Sequence, residues 1–162
     1  MDEVDRILAA WRREAPDLDV APLAVLSRVS RLARHLDLAR RDAFAVHSLD
    51  VWEFDVLAAL RREGEPHELS PGQLISQTLS TSGTMTNRID RLAARGLVER
   101  LPDLHDRRGV RVRLLPGGVE VVDAALADLV RREQAILEAL TDSERETLTG
   151  LLRRLLDPFE SE

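Results

Sequence analysis

The segment 70–96 constrains the fold more than any other part of the chain. It opens with Ser-Pro-Gly-Gln at 70–73, in which Ser can cap a helix, Pro suits a first helical turn and Gln can return the capping bond. We predict a short helix over residues 71–78. A second helix, capped at 80–81, carries an apolar stripe and ends at Gly96, which favours a left-handed stop. The stripe consists of Met85, Ile89, Leu92 and Ala93. Two short helices joined by a tight polar turn are therefore expected.

Residues 97–114 switch from a helical period to a period of two. Leu97, Glu99 and Leu101 alternate with Val98 and Arg100. Later, Val110, Val112 and Leu114 alternate with Arg111 and Arg113, and such a period is typical of half-buried strands. The intervening residues PDLHDRRG form a polar turn whose tip carries Arg107 and Arg108. We predict a β-hairpin with a basic tip and one basic face.

The remaining segments have the periodicity of helices. We expect helices over about 4–14, 22–41, 50–64, 117–140 and 141–156. Capping boxes mark two of these starts, Asp50 with Glu53 and Thr141 with Glu144. The fold class predicted is mainly α with a small β-hairpin wing, which is a winged helix-turn-helix. Residues 48–116 form its winged domain.

The charge distribution favours DNA as a partner. The formal net charge of −6 is unfavourable for binding phosphates, but residues 81–113 hold eight Arg against four Asp or Glu. One segment therefore carries the basic face. An α-helix fits the major groove of a duplex, and a hairpin beside it can reach the adjacent minor groove. The arrangement predicts binding to double-stranded DNA.

Composition disfavours several other classes of protein. Cys is absent, which removes disulfides and thiolate zinc sites, and the four His residues are too scattered to compose a metal site. No phosphate loop, Ser-His-Asp order or paired-carboxylate arrangement rises above chance, so we expect no catalytic residue and no cofactor. The acidic, polar N-terminus is unlike a signal peptide, and no apolar run approaches the roughly 20 residues of a membrane span. We expect a cytoplasmic protein with no membrane partner.

The second helix of the pair has a side that can read DNA. At about 100° per residue, the side opposite the apolar stripe presents Asn87 and Arg91, with Thr84 beside them. Asn87 can pair with adenine, Arg91 with guanine or phosphate, and Thr84 with a phosphate or a thymine methyl. Arg107 and Arg108 would contact the minor groove and phosphates. The residues assigned to DNA are Ser82, Thr84, Asn87, Arg88, Arg91, Arg107 and Arg108. The alternative is an ordinary solvated helix face and a hydrated turn.

A specific resemblance supports this interpretation. The segment TSGTMTNRIDRLAARGLVERLPDLHDRRGVRVRLLPGG, with Asp106-Arg107-Arg108 followed by Val112 and Leu114, resembles the MarR family of bacterial transcriptional regulators. The similarity extends over nearly the whole chain. One departure is the pair Leu114-Leu115, where the family usually has Leu-Thr. The lost N-cap is worth about 1 kcal/mol, so we expect a looser exit from the wing.

The resemblance implies a dimer and an effector. In this family the terminal helices intertwine into a dimer, and a small phenolic or anionic ligand in the cleft beside the winged domains weakens DNA binding. Residues 1–45 and 117–162 would therefore form the dimerisation part. Two copies of the reading helix would then meet a pseudo-palindrome about one helical turn apart.

The position of the effector site is also suggested by the resemblance. The urate-responsive branch of the family has similar features at Trp11, Asp55 and Arg88, whereas its second pocket arginine has no convincing counterpart here. Arg88 lies roughly 85° from the core axis of its helix, at the edge of the DNA face. We hypothesise that an anionic aromatic ligand competes with Asp55 for Arg88 and tilts the reading helix. The alternatives are dimer-core packing for Trp11 and a structural ion pair for Asp55 with Arg88.

Three functions remain open from the sequence. The first is a DNA-binding repressor released by a small aromatic or anionic ligand. The second is a DNA-binding regulator without such an effector, controlled by a protein partner. The third, an enzyme using Asp55 and His residues as acid and base, ranks last by a wide margin.

Overall fold

A computed structural model describes residues 1–78, 80–103 and 109–160. The chain folds into seven helices and three strands within these ranges. In order they are α1 Glu3–Glu14, α2 Ala21–Ala45, α3 Val51–Arg62, β1 Glu68–Leu69, α4 Pro71–Thr78, α5 Ser82–Ala94, β2 Val98–Pro102, β3 Val110–Leu114, α6 Pro116–Leu137 and α7 Asp142–Glu160. The predicted class, mainly α with a small β wing, is confirmed.

The wing is a three-stranded antiparallel sheet in the order β1-β3-β2. Strands β2 and β3 pair as the predicted hairpin, with Arg100 opposite Val112. The sequence does not predict β1, because two residues are too few to show a period of two. Glu68 of this strand lies opposite Arg113, so β1 closes the free edge of β3.

Side chains at the predicted positions cap the helices. At α4 the Ser70 N–H donates to Gln73 Oε1 at 2.8 Å, and the Gln73 N–H donates to Ser70 Oγ at 3.2 Å. The Asp50 N–H donates to Glu53 Oε2 at 2.9 Å at the start of α3. Gly96 follows α5 with φ of 69°, the left-handed stop expected there. The helix-turn-helix is therefore defined by local chemistry.

Two helix ends differ from expectation. Helix α2 continues to Ala45, because Phe44 is fully buried in the core and must be held there. Helix α7 continues through Pro158 to Glu160, since a proline in the last turn removes only one backbone bond. At the wing exit Leu115 is the N-cap residue of α6 and makes no side-chain cap hydrogen bond, as the absence of Thr predicts, and the contacts there come from the backbone. The Leu115 N–H donates to the Leu97 carbonyl at 3.0 Å, and Gly118 packs so closely on that carbonyl that a Cβ would overlap it.

The main core lies inside the winged part of the chain. We call α3, α4, α5 and the sheet the winged lobe, and α1, α2, α6 and α7 the terminal helices. The apolar faces of the lobe close over one another, and the end of α2 and the first half of α6 complete the core. Its largest fully buried side chains include Phe44, Leu57, Leu60, Leu69, Leu74, Met85, Ile89 and Leu92. The core fixes α5 rigidly against α3 and α4.

Candidate DNA interface and adjoining cleft

Helix α5 buries one side and exposes the other. Met85, Ile89 and Leu92 are fully buried, as the apolar stripe predicts. The opposite side is exposed and polar, and it includes four of the residues assigned to DNA. These are Ser82, Thr84, Asn87 and Arg91. The geometry required of a reading helix is present, while the contacts of these side chains with DNA stay a prediction.

The start of α5 is organised by hydroxyl groups. Thr81 is the N-cap residue, and its Oγ1 donates to Thr84 Oγ1 at 2.9 Å. The Thr84 hydroxyl is therefore held at the first turn, where backbone N–H groups also favour a phosphate. Arg107 and Arg108 of the wing tip lie outside the described residues, so their assignment stays a prediction.

Several basic residues of the 81–113 segment are already paired within the lobe. Arg95 donates to Glu53 Oε1 at 2.7 Å and to the Ser48 carbonyl at 2.9 Å. Arg100 binds Asp90 at 2.7 Å. Arg113 binds Glu68, and this hydrogen bond raises the pKa of the Arg113 guanidinium. Counting charges therefore overstates how many arginines are available for DNA.

Arg91 keeps an exposed guanidinium, but two groups of α3 hold its position. Its side chain is 63% exposed, and Nη2 lies 3.7 Å from Asp50 Oδ2. The Arg91 Cζ lies 4.8 Å from the ring centroid of Trp52. Arg91 is therefore an oriented cation at the surface of the lobe.

A cleft of about 710 Å³ lies beside α5, between α3 and the end of α2. It has both cationic and acidic side chains in its wall together with an aromatic face. The lining includes Arg41, Asp50, Trp52, Asp55, Ser80 and Arg88. The structure thus brings Asp55 and Arg88 to one cleft, as the sequence predicts.

The expected ion pair between Asp55 and Arg88 is wrong. Asp55 Oδ1 accepts from Arg40 Nη2 at 2.9 Å, and Arg88 donates instead to Ser80 Oγ. The reason is that Arg40 of α2 lies over the stacked rings of Phe44 and Phe54, and Asp55 follows Phe54 directly in α3. A guanidinium from α2 therefore occupies the position expected for Arg88.

Trp11 does not line this cleft within one chain. It lies on α1 with 48% of its surface exposed. Its assignment to the effector site stays a prediction, as does its alternative of packing in a dimer.

Sequence reasoning missed three residues of the cleft wall or its support. None of Arg40, Arg41 and Trp52 was predicted from the sequence to lie at the cleft. A signal was present for Arg40, because it precedes Phe44 by four residues and so lies on the same helix face. No comparable signal marks Trp52, since the two arginines over its ring come from another helix.

Two features are absent from the described part of the chain. Every helix in these ranges is too short or too polar to span a lipid bilayer. No three His, Asp or Glu side chains in the same ranges come together as a group that could hold a metal ion.

The fold and the exposed side of α5 define a winged helix-turn-helix DNA-binding protein. The model of the MarR family matches residues 47–109. PecS of Dickeya dadantii, an HTH-type transcriptional regulator, is 37% identical over 153 residues, which cover 94% of this chain and 92% of PecS.

Solved structures agree with this assignment. A cysteine-to-serine mutant of E. coli MarR in complex with operator DNA superposes with a TM-score of 0.69 at 27% identity, covering 85% of this chain and 96% of that one. Bordetella bronchiseptica BpsR, whose DNA binding is regulated by 6-hydroxynicotinic acid, superposes with a TM-score of 0.62 at 29% identity, covering 80% of this chain and 93% of that one. This chain belongs to the MarR family, and it is a DNA-binding transcriptional regulator and not an enzyme.

Proposed function

We propose that the protein is a homodimeric repressor that binds a pseudo-palindromic operator. The observation that carries the proposal is the exposed polar side of α5, presented by a lobe whose own core is closed. One α5 would enter the major groove of each half-site, with the two half-sites about one helical turn apart. Asn87 and Arg91 would contact bases, and the wing would contact the adjacent minor groove through Arg107 and Arg108. A cytoplasmic location is part of this proposal.

The terminal helices support the dimer. Their exposed apolar side chains form a surface that a second copy of the chain would cover. In α7 the described residues include none that is buried, although its leucines recur with a helical period. An apolar groove of about 440 Å³ between α2 and α7 is lined by Val29, Leu32, Leu36, Leu148 and Leu152. Trp11 would lie in the same dimerisation region.

Operator binding can be tested on DNA selected by the protein itself. A duplex enriched from a random library would be used in gel shifts at two salt concentrations. We expect two related half-sites and a steep salt dependence, because released counterions dominate binding to phosphates. Failure of the wild-type protein to enrich any duplex would contradict the proposal.

Arg91→Ala separates base reading from phosphate contact. If Arg91 reads a base, affinity falls by about 10- to 100-fold with loss of preference at one position and an unchanged salt slope. If it contacts a phosphate, the salt slope falls by about 1. Arg153→Ala is the matched control, since Arg153 is an exposed arginine of α7, and it should change neither quantity.

The cleft supports an anionic aromatic effector as the second part of the proposal. Arg41, Arg88 and the indole of Trp52 line the cleft, and a further guanidinium, that of Arg40, is bound to Asp55 of its wall. Guanidinium groups bind carboxylates through two parallel hydrogen bonds, and the indole offers a face for a planar ring. Asp55 is bound to Arg40, so a ligand carboxylate would compete with Asp55 for that cation. Such a ligand releases DNA only if it binds the DNA-free conformation more tightly.

The probes for this test are urate and 6-hydroxynicotinic acid. A ligand that binds only the native state, at a free concentration of 100 times its dissociation constant, stabilises the protein by about 2.7 kcal/mol. A thermal-shift assay detects a change of this size. We expect Asp55→Asn and Arg40→Gln to alter ligand response more than operator affinity. Arg34→Gln, an exposed arginine elsewhere on α2, should leave the response unchanged. If ligand response and operator affinity both keep their wild-type values in Asp55→Asn and in Arg40→Gln, the assignment of the cleft as the effector site is contradicted.

A further inference from the structure

Trp52 stands between the cleft and the DNA-reading side of α5. It lies in the first turn of α3 and is half-buried, because part of its side chain packs on the lobe core. Its remaining surface forms part of the cleft wall. An indole at this position contacts the interior, the cleft and α5 at the same time.

Two arginines of α5 share this one ring. The Cζ of Arg88 lies 5.3 Å from the ring centroid of Trp52, and the Cζ of Arg91 lies 4.8 Å from it. Both distances are within the range of a cation–π interaction. The two arginines are three residues apart, so they are neighbours on one side of the helix. They nevertheless reach different surroundings, since Arg88 lines the cleft and Arg91 is exposed beside Asn87.

Asp50 fixes the orientation of the indole. The Trp52 Nε1–H donates to Asp50 Oδ2 at 3.2 Å, and Nη2 of Arg91 lies 3.7 Å from the same oxygen. Asp50 is also the N-cap residue of α3, so its carboxylate is attached to a rigid helix end. The ring plane and the Arg91 guanidinium are therefore held by a common acceptor.

We propose that Trp52 is a positioning residue that couples Arg88 in the cleft to Arg91 on the DNA-reading side. The inference rests on the proposed function, because it concerns how the cleft affects operator binding. An anion in the cleft draws Arg88 away from the indole, since a carboxylate binds a guanidinium more strongly than an aromatic face does. The indole loses one of its two cations and changes its orientation. Arg91 then loses part of the support that holds it for DNA.

A double-mutant cycle on operator affinity tests the coupling without any ligand. The proteins are the wild type, Arg88→Gln, Trp52→Leu and the double variant, measured on the duplex selected by the wild type. We expect the loss in the double variant to differ by about threefold or more from the product of the two single losses. Agreement with that product within about twofold would overturn the proposal.

Arg100→Gln provides the matched control for this cycle. Arg100 is a cation of the same lobe, but it pairs with Asp90 and the Thr86 carbonyl and not with Trp52. The loss of operator affinity in the double variant of Arg100→Gln and Trp52→Leu should therefore equal the product of the two single losses. Trp52→Phe keeps an aromatic face and should restore most of the coupling with Arg88, which a merely space-filling role would not require. It also keeps the test interpretable if Trp52→Leu unfolds the lobe.

Fluorescence gives a second measurement that does not depend on DNA. The chain has two tryptophans, so Trp11→Phe leaves Trp52 as the reporter. Arg88→Gln in this background should shift the emission of Trp52, and an unchanged spectrum would count against the contact.

The outcomes also separate this inference from the proposed function. If the cycle shows coupling but neither urate nor 6-hydroxynicotinic acid changes operator binding, the role of Trp52 is supported and the proposed effector site is contradicted. If the Arg88 and Trp52 variants reduce operator affinity independently, but urate or 6-hydroxynicotinic acid releases the protein from DNA, the role of Trp52 is overturned and the proposed effector site stands.

Discussion

The winged lobe and the terminal helices differ in how much of their apolar surface is buried within one chain. The lobe closes its own core, with Leu57, Leu60, Met85, Ile89 and Leu92 fully buried. Among the residues that the structure describes, every large apolar side chain that is exposed lies at positions 1–46 or 126–159. The lobe is complete within one chain, whereas the terminal helices are amphipathic elements with part of their apolar surface uncovered.

This difference indicates where specificity and assembly reside. A side chain on the lobe is positioned by contacts within one chain, so α5 can present fixed atoms to DNA. In the proposed dimer the terminal helices would bury their exposed apolar side chains against a partner, and their stability would then depend on protein concentration. The four variants below test this contrast, beginning with the largest expected effect.

Leu152→Asp should disrupt the terminal helices without unfolding the lobe. Leu152 lines the apolar groove between α2 and α7, and a carboxylate there cannot be desolvated by a second chain at low cost. We expect a monomer by sedimentation and a loss of operator affinity of at least about 100-fold, because the two half-sites are no longer bound together. Gly150→Asp adds the same charge on the far side of α7, where a Cβ has open space, and should remain dimeric. A dimeric Leu152→Asp protein would remove the contrast between the two regions.

Leu60→Ala should destabilise the lobe directly. Leu60 is fully buried, and deleting such a side chain costs about 2–5 kcal/mol through lost burial and the cavity left behind. The free energy of unfolding from urea titration is the measurement. Leu156→Ala removes the same atoms from a side chain that is 50% exposed, and its effect should be smaller and should vary with protein concentration. Equal, concentration-independent losses in both variants would contradict a self-contained lobe.

Arg95→Ala tests whether buried polar groups help to close the lobe. Its partner Glu53 is only 3% exposed, so removal of Arg95 leaves a buried carboxylate without its cation. We expect a loss of about 1–3 kcal/mol in the free energy of unfolding. Arg61→Ala is the control, because Arg61 has a similar exposure but its partner Asp123 is open to solvent. The control should unfold at the wild-type midpoint, and an equally large loss there would show that the burial of Glu53 is not the cause.

Arg28→Gln should have the smallest effect, because it acts on exposed ion pairs between α1 and α2. Its hydrogen bond is the main reason for the lowered pKa of Asp2. The pKa of Asp5 is lowered first by the Asp2 backbone N–H and then by Arg28. A carboxyl pKa that is lower in the folded state stabilises the protein at neutral pH, and this contribution is lost as the pH falls below about 4.

The expected result of Arg28→Gln is a rise of both carboxyl pKa values in an NMR titration. The unfolding midpoint at pH 7 should hardly change, since exposed ion pairs contribute little. Arg12→Gln on the outer part of α1 should leave both titrations unchanged. An unaltered titration of Asp2 in Arg28→Gln would disprove that Arg28 lowers the pKa of Asp2.

Local chemistry was enough to predict the helix-turn-helix and the wing. Ser70, Gln73 and Gly96 act on their own backbone neighbours, and the stripe of Met85, Ile89 and Leu92 needs only the helical period. The exposed side of α5 follows from the same stripe by geometry. These features depend on residues three or four apart, which a sequence displays directly.

The arrangement of the cleft depended on contacts between distant segments. Asp55 and Arg88 were correctly expected at one cleft, but the partner of Asp55 is Arg40, fifteen residues earlier in the chain. The two-residue strand β1 gains its structure only by pairing with β3. The spacing of Arg40 and Phe44 shows only that they share a helix face, and neither the Arg40–Asp55 pair nor the β1–β3 pair can be read from the sequence, because each depends on how packed helices and strands place their side chains.

The sequence by itself determined which helix can read DNA, since periodicity and capping are local properties of the chain. The tertiary structure alone decided which arginines remain free to do so. It binds Arg95, Arg100 and Arg113 closely to carboxylates, whereas Arg91 stays exposed over Trp52 with its nearest carboxylate oxygen, on Asp50, 3.7 Å away. The physical reason is that the availability of a charge depends on the charges brought next to it in space, and only packing sets those neighbours.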